Sequence, residues 1–319
     1  MDKKRCTGII ILNYNNWEDT LNCILSVEKY NTSNSKYIIV DNGSTRNGAV
    51  EAIDKFLFSL FGIDYCKVPE DGNIGVLKKA TFVVSSINSG YAQGNNKGLK
   101  FAYEDSEIDE ILILNNDILF VQDIVPQLRE YLYSEKNCGI VSPLLYTKEM
   151  KAIDYNCARY ELDPWELIFA YLFMYKNFLG ILKRFDVKQH FLKNNIELLS
   201  QKLIKIDLPS GSCMLIKKKV MKEINSFDPN TFLFYEENIL YRKLLKLNLT
   251  NYIVPSCKCI HLGACSTSKT SNYFSLSCQF KSSIYYVNNY IKLSHLQKIL
   301  FFVGTKLFWI KLWLIKKLK

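Results

Sequence analysis

The chain has 319 residues, 48% of them hydrophobic and 23% charged, and its 41 Lys and Arg against 31 Asp and Glu leave a formal charge of +10. That composition buries one large core or two modest ones and excludes a disordered chain. The positive excess, much of it near the C-terminus, favours anionic partners such as nucleotide phosphates, nucleic acid or a lipid surface.

Lys3-Lys4-Arg5 precede a short apolar run, Ile9 to Leu12, which is too short for a signal-peptide core and reads as a first strand. A helix over Trp17 to Lys29 follows, then a strand at Tyr37 to Val40 ending in Asp41-Asn42-Gly43-Ser44-Thr45, then a helix over Ala49 to Phe61. Ala80 to Ile87 is apolar and β-branched. It runs into Asn88-Ser89-Gly90-Tyr91-Ala92-Gln93-Gly94-Asn95-Asn96-Lys97-Gly98, whose glycines suit either a phosphate or nucleoside cradle or an ordinary loop and helix start. Helical character continues to Tyr103.

Ile111 to Leu114 predicts a buried strand that ends abruptly in Asn115-Asn116-Asp117, groups that cannot be buried unpaired. Asp117 is placed to hold a cation against a phosphate, and the same triplet also suits a turn and helix cap before Ile118-Leu119-Phe120. Strands spaced by helices imply right-handed crossovers and a mostly parallel sheet, so Asn13, Asp41 and Asp117 should share one edge.

A helix over Gln122 to Ser134 and a strand over Gly139 to Leu145 come next. Asp163-Pro164-Trp165-Glu166 carries the N-cap, first-turn proline and third-position acid of a helix start, leading into Leu167 to Tyr175. Lys176 and then Lys183-Arg184 break that apolar run well short of the roughly twenty residues a membrane span needs. Pro209 to Ile216 reads as loop and strand, Lys217-Lys218-Lys219 as the start of a solvated helix, and Phe227-Asp228-Pro229 as a turn. In Phe232 to Arg242, Glu236 and Glu237 follow an aromatic run at a helix start, where acids either cap the helix or do chemistry. Tyr252 to Pro255 is a further strand, and His261 to Ser266 a glycine-bearing turn. The ten cysteines are scattered, and Cys257 and Cys259 have no second pair at finger spacing, which favours reduced structural thiols in a cytosolic protein.

Taken together, "IIILNYN", "IIVDNGST", "NSGYAQGNN", "LILNND", "GSCMLIKK", "FLFYEEN" and "HLGACST" resemble, in order and spacing, the family 2 glycosyltransferases of GT-A fold, particularly bacterial rhamnosyltransferase-like members that build surface polysaccharides such as capsule and O-antigen. The resemblance covers about residues 7 to 268. It implies an α/β fold with a Rossmann-like, mostly parallel central sheet flanked by helices. A catalytic domain over 1–268, with a helical insertion at about 151–206, would precede a C-terminal helical extension over 269–319.

By that resemblance Asp41 would accept the imide N–H of uracil or thymine, which cytosine lacks, so the donor would be a UDP- or dTDP-sugar. Asn13, Asn15, Gly43, Ser44, Asn88, Gly90, Gly94, Asn95, Asn115 and Asn116 would complete the donor pocket, with Gly211 and Ser212 toward the acceptor sugar. Asn115-Asn116-Asp117 falls on the family's D-x-D position with an amide in place of the first acid. Asp117, with His261, would then bind Mn2+ or Mg2+ together with the donor diphosphate. Glu236-Glu237 matches the acidic pair of the family, Glu237 as general base with Glu236 retained as a candidate; the usual second aspartate is Ile239 here. The implied reaction is a direct displacement with inversion.

Leu296 to Lys319 mixes Phe301, Phe302, Trp309 and Trp313 with Lys298, Lys306, Lys311, Lys316, Lys317 and Lys319. At helical spacing Lys298, Lys306, Lys316 and Lys317 share one arc with Trp309 and Trp313, while Lys311 lies almost opposite and the segregation is imperfect. Lysines and tryptophans on one side with aliphatics on the other nevertheless suit a helix lying on an anionic membrane surface; packing on the catalytic domain or on a second subunit of a homodimer is the competing reading. The expected location is therefore cytoplasmic, peripheral at the inner face of the cell membrane, with a saccharide acceptor that is lipid-linked and no nucleic-acid partner. Two other functions fit parts of the pattern. A sugar-phosphate nucleotidyltransferase would carry a G-x-G-T-R-like loop where Asn13-Tyr14-Asn15-Asn16 stands, and a catalytically silent nucleotide-sugar-binding scaffold would release no nucleoside diphosphate.

Overall fold

The computed structural model describes residues 5–172, 188, 190–263 and 272–317. The expectations for Phe173 to Lys176, Lys183, Arg184 and Ala264 to Ser268 lie outside these residues, as does Lys319, and so do the side chains of Lys311, Lys316 and Lys317.

Strands β1 (Cys6–Asn13), β2 (Ser35–Asn42), β3 (Tyr65–Pro69), β4 (Ala80–Ser85) and β5 (Ile108–Asn115) alternate with α1 (Trp17–Tyr30), α2 (Ala49–Phe61) and α3 (Gly90–Glu104). Next come β6 (Ile118–Phe120), α4 (Val125–Ser134) and β7 (Cys138–Tyr146), then β8 (Ala158–Arg159), α5 (Pro164–Leu172), the single turn α6 (Phe191–Asn194), β9 (Ile204–Ile206) and β10 (Leu208–Pro209). The chain returns through β11 (Cys213–Lys217), α7 (Lys218–Glu223), α8 (Glu236–Lys246) and β12 (Thr250–His261), and closes with α9 (Asn272–Tyr290) and α10 (His295–Lys317).

A ten-stranded sheet in the order β3-β4-β2-β1-β5-β11-β7-β12-β6, with β9 on β12, runs through the molecule. β1, β2, β4 and β5 are parallel to their partners in the first half, as is β12 to β7, while β11 inserts antiparallel between β5 and β7. The sheet is mostly parallel and buried on both faces, which is why its strands read as continuous apolar runs. Successive side chains point to opposite faces. Ile9, Ile11, Ile39, Leu112 and Leu114 therefore pack with α1, α2 and α4, while Ile10, Ile38, Val40, Ile111 and Ile113 pack with α3, α7 and α8. The nine described cysteines are all free.

At α5 the expected capping box forms: Asp163 Oδ1 accepts from the Trp165 and Glu166 amides, and the Asp163 amide donates to Glu166 Oε2 at 2.9 Å. Other boundaries differ from the sequence reading. The glycine-rich stretch is helix from Gly90 onward, and two of its glycines let α3 lie close to β1: a Cβ at Gly94 would stand 2.7 Å from Leu12 Cδ1, and one at Gly98 2.7 Å from Ile10 Cγ2. Those glycines serve helix–sheet approach rather than a cradle.

The third core joins α5, α9 and α10 through Leu167, Tyr171, Phe280, Tyr286, Phe301 and Phe308. The aliphatics of α10 do not segregate opposite its tryptophans and lysines. Ile299, Val303 and Ile310 are exposed on the same side as Trp309, Trp313, Lys298 and Lys306, because the inward stripe is Phe301, Gly304, Thr305 and Phe308. No described helix is long and apolar enough to cross a membrane.

Candidate active site

Strand register collects the polar groups at one sheet edge. Asn13 pairs with Asp41, Leu12 with Asn115, and Cys213 of the antiparallel β11 with Leu114, so the ends of β1, β2 and β5 meet the start of β11.

Asp41 is 1% exposed, and its Oδ1 accepts from Asn13 Nδ2 at 2.7 Å and from the Ser44 hydroxyl, while Oδ2 accepts the Ser44 amide at 3.0 Å. Asn15 is turned onto the neighbouring loop rather than outward: its Oδ1 accepts the Thr45 and Arg46 amides at 2.7 and 2.8 Å. Gly43 has φ +71°, and a Cβ there would stand 2.3 Å from the Ile87 carbonyl carbon, so this turn requires glycine. Asn42 Nδ2 then ties the turn to Asn88 Oδ1 and to the Gly90 carbonyl, both at 3.0 Å. Gly90 closes onto the protein: a Cβ would stand 2.1 Å from the Phe232 carbonyl oxygen, which also accepts the Tyr91 amide at 2.9 Å. Asn95 is buried inside α3, donating to the Tyr91 carbonyl at 3.0 Å, with its Oδ1 unpaired.

The three residues after β5 part company. Asn115 donates its amide to the Ser212 carbonyl at 2.8 Å. Asn116 is a buried strut, with Nδ2 donating to the Asn16 carbonyl and Thr20 Oγ1, each at 3.0 Å, and reaching Asn13 Oδ1 at 3.5 Å. Asp117 points the other way, and its Oδ2 lies 3.3 Å from His261 Nε2 while its buried Oδ1 has no hydrogen-bond partner. His261 is delivered to Asp117 by the antiparallel pairing of β12 with β6, in which His261 sits opposite Ile118. Its Nδ1 meets Asp154 Oδ2 at 2.8 Å. Burial opposes charge on His261, but the hydrogen bonds to Asp117 and Asp154 outweigh it and raise its pKa from 6.5 to about 9.

This donor set fits a divalent cation that displaces the Nε2 proton of His261: a buried carboxylate with a free oxygen, and an imidazole whose far nitrogen is oriented by a second carboxylate. Among the described residues no group of three His, Cys, Asp or Glu completes a cage by itself. Asp117 and His261 would hold the ion and leave positions for ligand oxygens.

Beside this edge a cavity of about 330 Å³ is lined by Asn115, Gly211, Ser212, Glu236, Glu237 and Arg159, with Tyr235 and Tyr286 among its walls. Phe234 and Tyr235 have φ of +71° and +69°, a left-handed conformation that bulky residues adopt at a cost of order 1–3 kcal/mol each. That strained entry turns the first residues of α8 into the cavity. Glu237 Oε1 accepts the Gly211 amide at 3.1 Å and faces Arg159 Nη2 at 3.3 Å. Gly211 is pinned in turn by the Tyr91 hydroxyl, which donates to its carbonyl at 2.6 Å. Glu236 is buried with Oε1 unpaired; burial first, and the charge of Glu237 second, push its carboxyl from 4.5 up to about 8.

Asn13, Asp41, Ser44 and Asn116 thus form one connected network, and Asn115, Gly211, Ser212 and Glu237 another that abuts it. Asn15, Gly90 and Gly94 spend their contacts on neighbouring protein. Arg159 and Asp154 were missed in the sequence because the segment carrying them has no motif. Tyr91 lies within a quoted motif, but only its long-range bond to Gly211 reveals its part.

Residues 8–224, more than half of the chain, match the family model described as Glycosyl transferase family 2. The chain is 22% identical over 230 residues to the low-salt glycan biosynthesis hexosyltransferase Agl10 of Haloferax volcanii, an alignment covering 72% of this chain and 58% of that protein's length. In three dimensions it is similar to GalNAc-T7, whose crystal structure holds UDP, GalNAc and Mn2+; the TM-score is 0.60 at 12% identity, over 91% of this chain and 49% of that one. The likeness establishes a GT-A-like α/β fold with a mixed, mostly parallel sheet. By sequence, the chain belongs to glycosyl transferase family 2.

Proposed function

We propose that this chain is an inverting glycosyltransferase that moves a sugar from a UDP- or dTDP-sugar to a saccharide acceptor, lipid-linked, in surface polysaccharide synthesis. The observation that carries the reading is the run of polar contacts along one sheet edge, from Asp41 through Asn13 to Asn116 and from Asn115 through Ser212 and Gly211 to Glu237. The hexosyltransferase named for glycan biosynthesis among its relatives supports it at the level of reaction class.

In this reading Asp41, prealigned by Asn13 and Ser44, accepts the imide N–H of the base, and the joined turns at Gly43 and Asn88 wall the nucleoside. Asp117 and His261 hold Mn2+ or Mg2+, which when bound neutralises charge on the departing diphosphate. Glu237, with Oε1 engaged by Gly211 and Arg159, takes the acceptor hydroxyl's proton on its other oxygen. The acceptor oxygen bonds to the anomeric carbon from the opposite face as the carbon–oxygen bond to the diphosphate breaks. Glu236, neutral below about pH 8, serves as a hydrogen-bond donor to a sugar hydroxyl rather than as the base.

The exposed face of α10, with Ile299, Phe302, Trp313 and two lysines, would hold the enzyme against anionic lipid at the cytoplasmic face of the cell membrane. A thermal-shift screen tests the donor assignment. UDP or dTDP with Mn2+ should raise the melting temperature and CDP should not; equal stabilisation by CDP, or none by any nucleotide, overturns it.

A further inference from the structure

Residues 238–319 contain thirteen Lys and Arg and no Asp or Glu, whereas residues 1–237 contain 28 and 31; the whole positive excess therefore sits in the C-terminal part. Within it, α9 and α10 enclose an open groove of about 740 Å³, in the size range of sites that take small organic ligands. Its lining is mixed: Ile284, Val287 and Ile291 on one side and Phe301 and Phe302 on the other are apolar, while Asn288, Thr305, Lys292 and Lys298 are polar. Neither lysine has an anionic partner among the described residues.

The groove is continuous with the open face of α10. Phe302 lines the groove and is 60% exposed, alongside Ile299, Ile310 and Trp313. This face cannot roll inward, because α10 crosses α5 closely: a Cβ at Gly304 would stand 3.0 Å from Tyr171 Cβ, and Phe301 and Phe308 are edge-on to the Tyr171 ring. A trough that sets apolar side chains beside two lysines with no anionic partner among the described residues has the chemistry of an amphiphile site, its chain laid against the apolar side chains and its phosphate matched by positive charge.

We propose that the groove between α9 and α10 takes one hydrocarbon chain of an anionic phospholipid, with the lipid phosphate on Lys292 and Lys298. The site deepens the membrane reading above, on which its access to lipid rests. α9 borders both this groove and the candidate catalytic cavity, since its consecutive residues Tyr286 and Val287 line the cavity and the groove respectively.

The experiment is calorimetric titration of the full chain with dihexanoylphosphatidylglycerol and dihexanoylphosphatidylcholine, each as monomers below the micellar concentration, and with inorganic phosphate. The phosphatidylglycerol should bind one to one, at least about 10-fold tighter than the phosphatidylcholine, because two lysines favour a net anionic headgroup over one whose phosphate is offset by a choline cation. Asn288→Trp, an exposed wall position, should fill the groove and weaken phosphatidylglycerol binding at least about 10-fold, as should Lys292→Glu with Lys298→Glu. Circular dichroism verifies folding, and if Asn288→Trp does not fold, the charge-reversal pair and the wild-type stoichiometry decide. No saturable binding, equal affinity for the two lipids, an unaffected Asn288→Trp, or full displacement by inorganic phosphate overturns the proposal. Sedimentation of the wild-type chain with phosphatidylglycerol vesicles judges the membrane reading separately, and Asn288→Trp should still sediment because the outer face of α10 is untouched.

Discussion

Arg159 Nη2 stands 3.3 Å from Glu237 Oε1, so a short strand of the segment that interrupts the sheet steadies the acid at the first turn of α8. The same oxygen takes the Gly211 amide, and a carboxylate held twice on one oxygen presents the other in a fixed direction.

Replacing Glu237 with Gln keeps the shape of that turn and removes the proposed base. Transfer should fall by about 10²–10⁴, while Mn2+-dependent UDP binding, measured by calorimetry, changes little. Full turnover in this variant would remove Glu237 from the mechanism.

Gly211→Ala places a methyl 2.9 Å from the Tyr91 hydroxyl and 3.2 Å from Glu237 Oε1. The carboxylate must shift, and a displacement of this kind should lower kcat by about 10-fold or more with little change in melting temperature. Steady-state kinetics and a thermal melt read the two effects separately.

Asp117→Asn leaves His261 and Asp154 in place but removes the charge opposite Nε2. The metal-dependent part of UDP affinity should drop by roughly 10–100-fold, and titration with and without Mn2+ measures it. An unchanged metal dependence would take Asp117 out of the cation site.

Glu236 gives a pH signature. Its folded pKa, about 8, lies above its ordinary 4.5, so between these values the folded state binds a proton that the unfolded state has released. Stability must then fall as pH rises through that window. Glu236→Gln removes this dependence: its melting temperature should match the wild type near pH 4.5 and exceed it above pH 8, as calorimetric scans across the range will show.

On α10, Ile299→Ser with Phe302→Ser removes exposed apolar surface without touching the inward Phe301 and Phe308. Each full burial forgone is worth about 1.5–3 kcal/mol, so sedimentation with anionic vesicles should fall at least about 10-fold. Transfer to a soluble acceptor should persist.

Much was legible in the sequence because it is written in short spacings. Runs such as Ile9 to Leu12 and Ile111 to Leu114 mark doubly buried strands, the polar residues at their ends mark a sheet edge, and Asp163 with Glu166 marks a helix start by an interaction three residues long. The tertiary structure alone decided the rest. Whether Gly94 cradles a ligand or admits a helix to within touching distance of Leu12 depends on where α3 docks, and whether Asp117 stands alone depends on the antiparallel pairing that brings in His261 and, with it, Asp154. Such contacts join residues eighty or more apart, and no local pattern encodes them. They follow from strand register and helix packing, which are settled only when the whole core is buried at once.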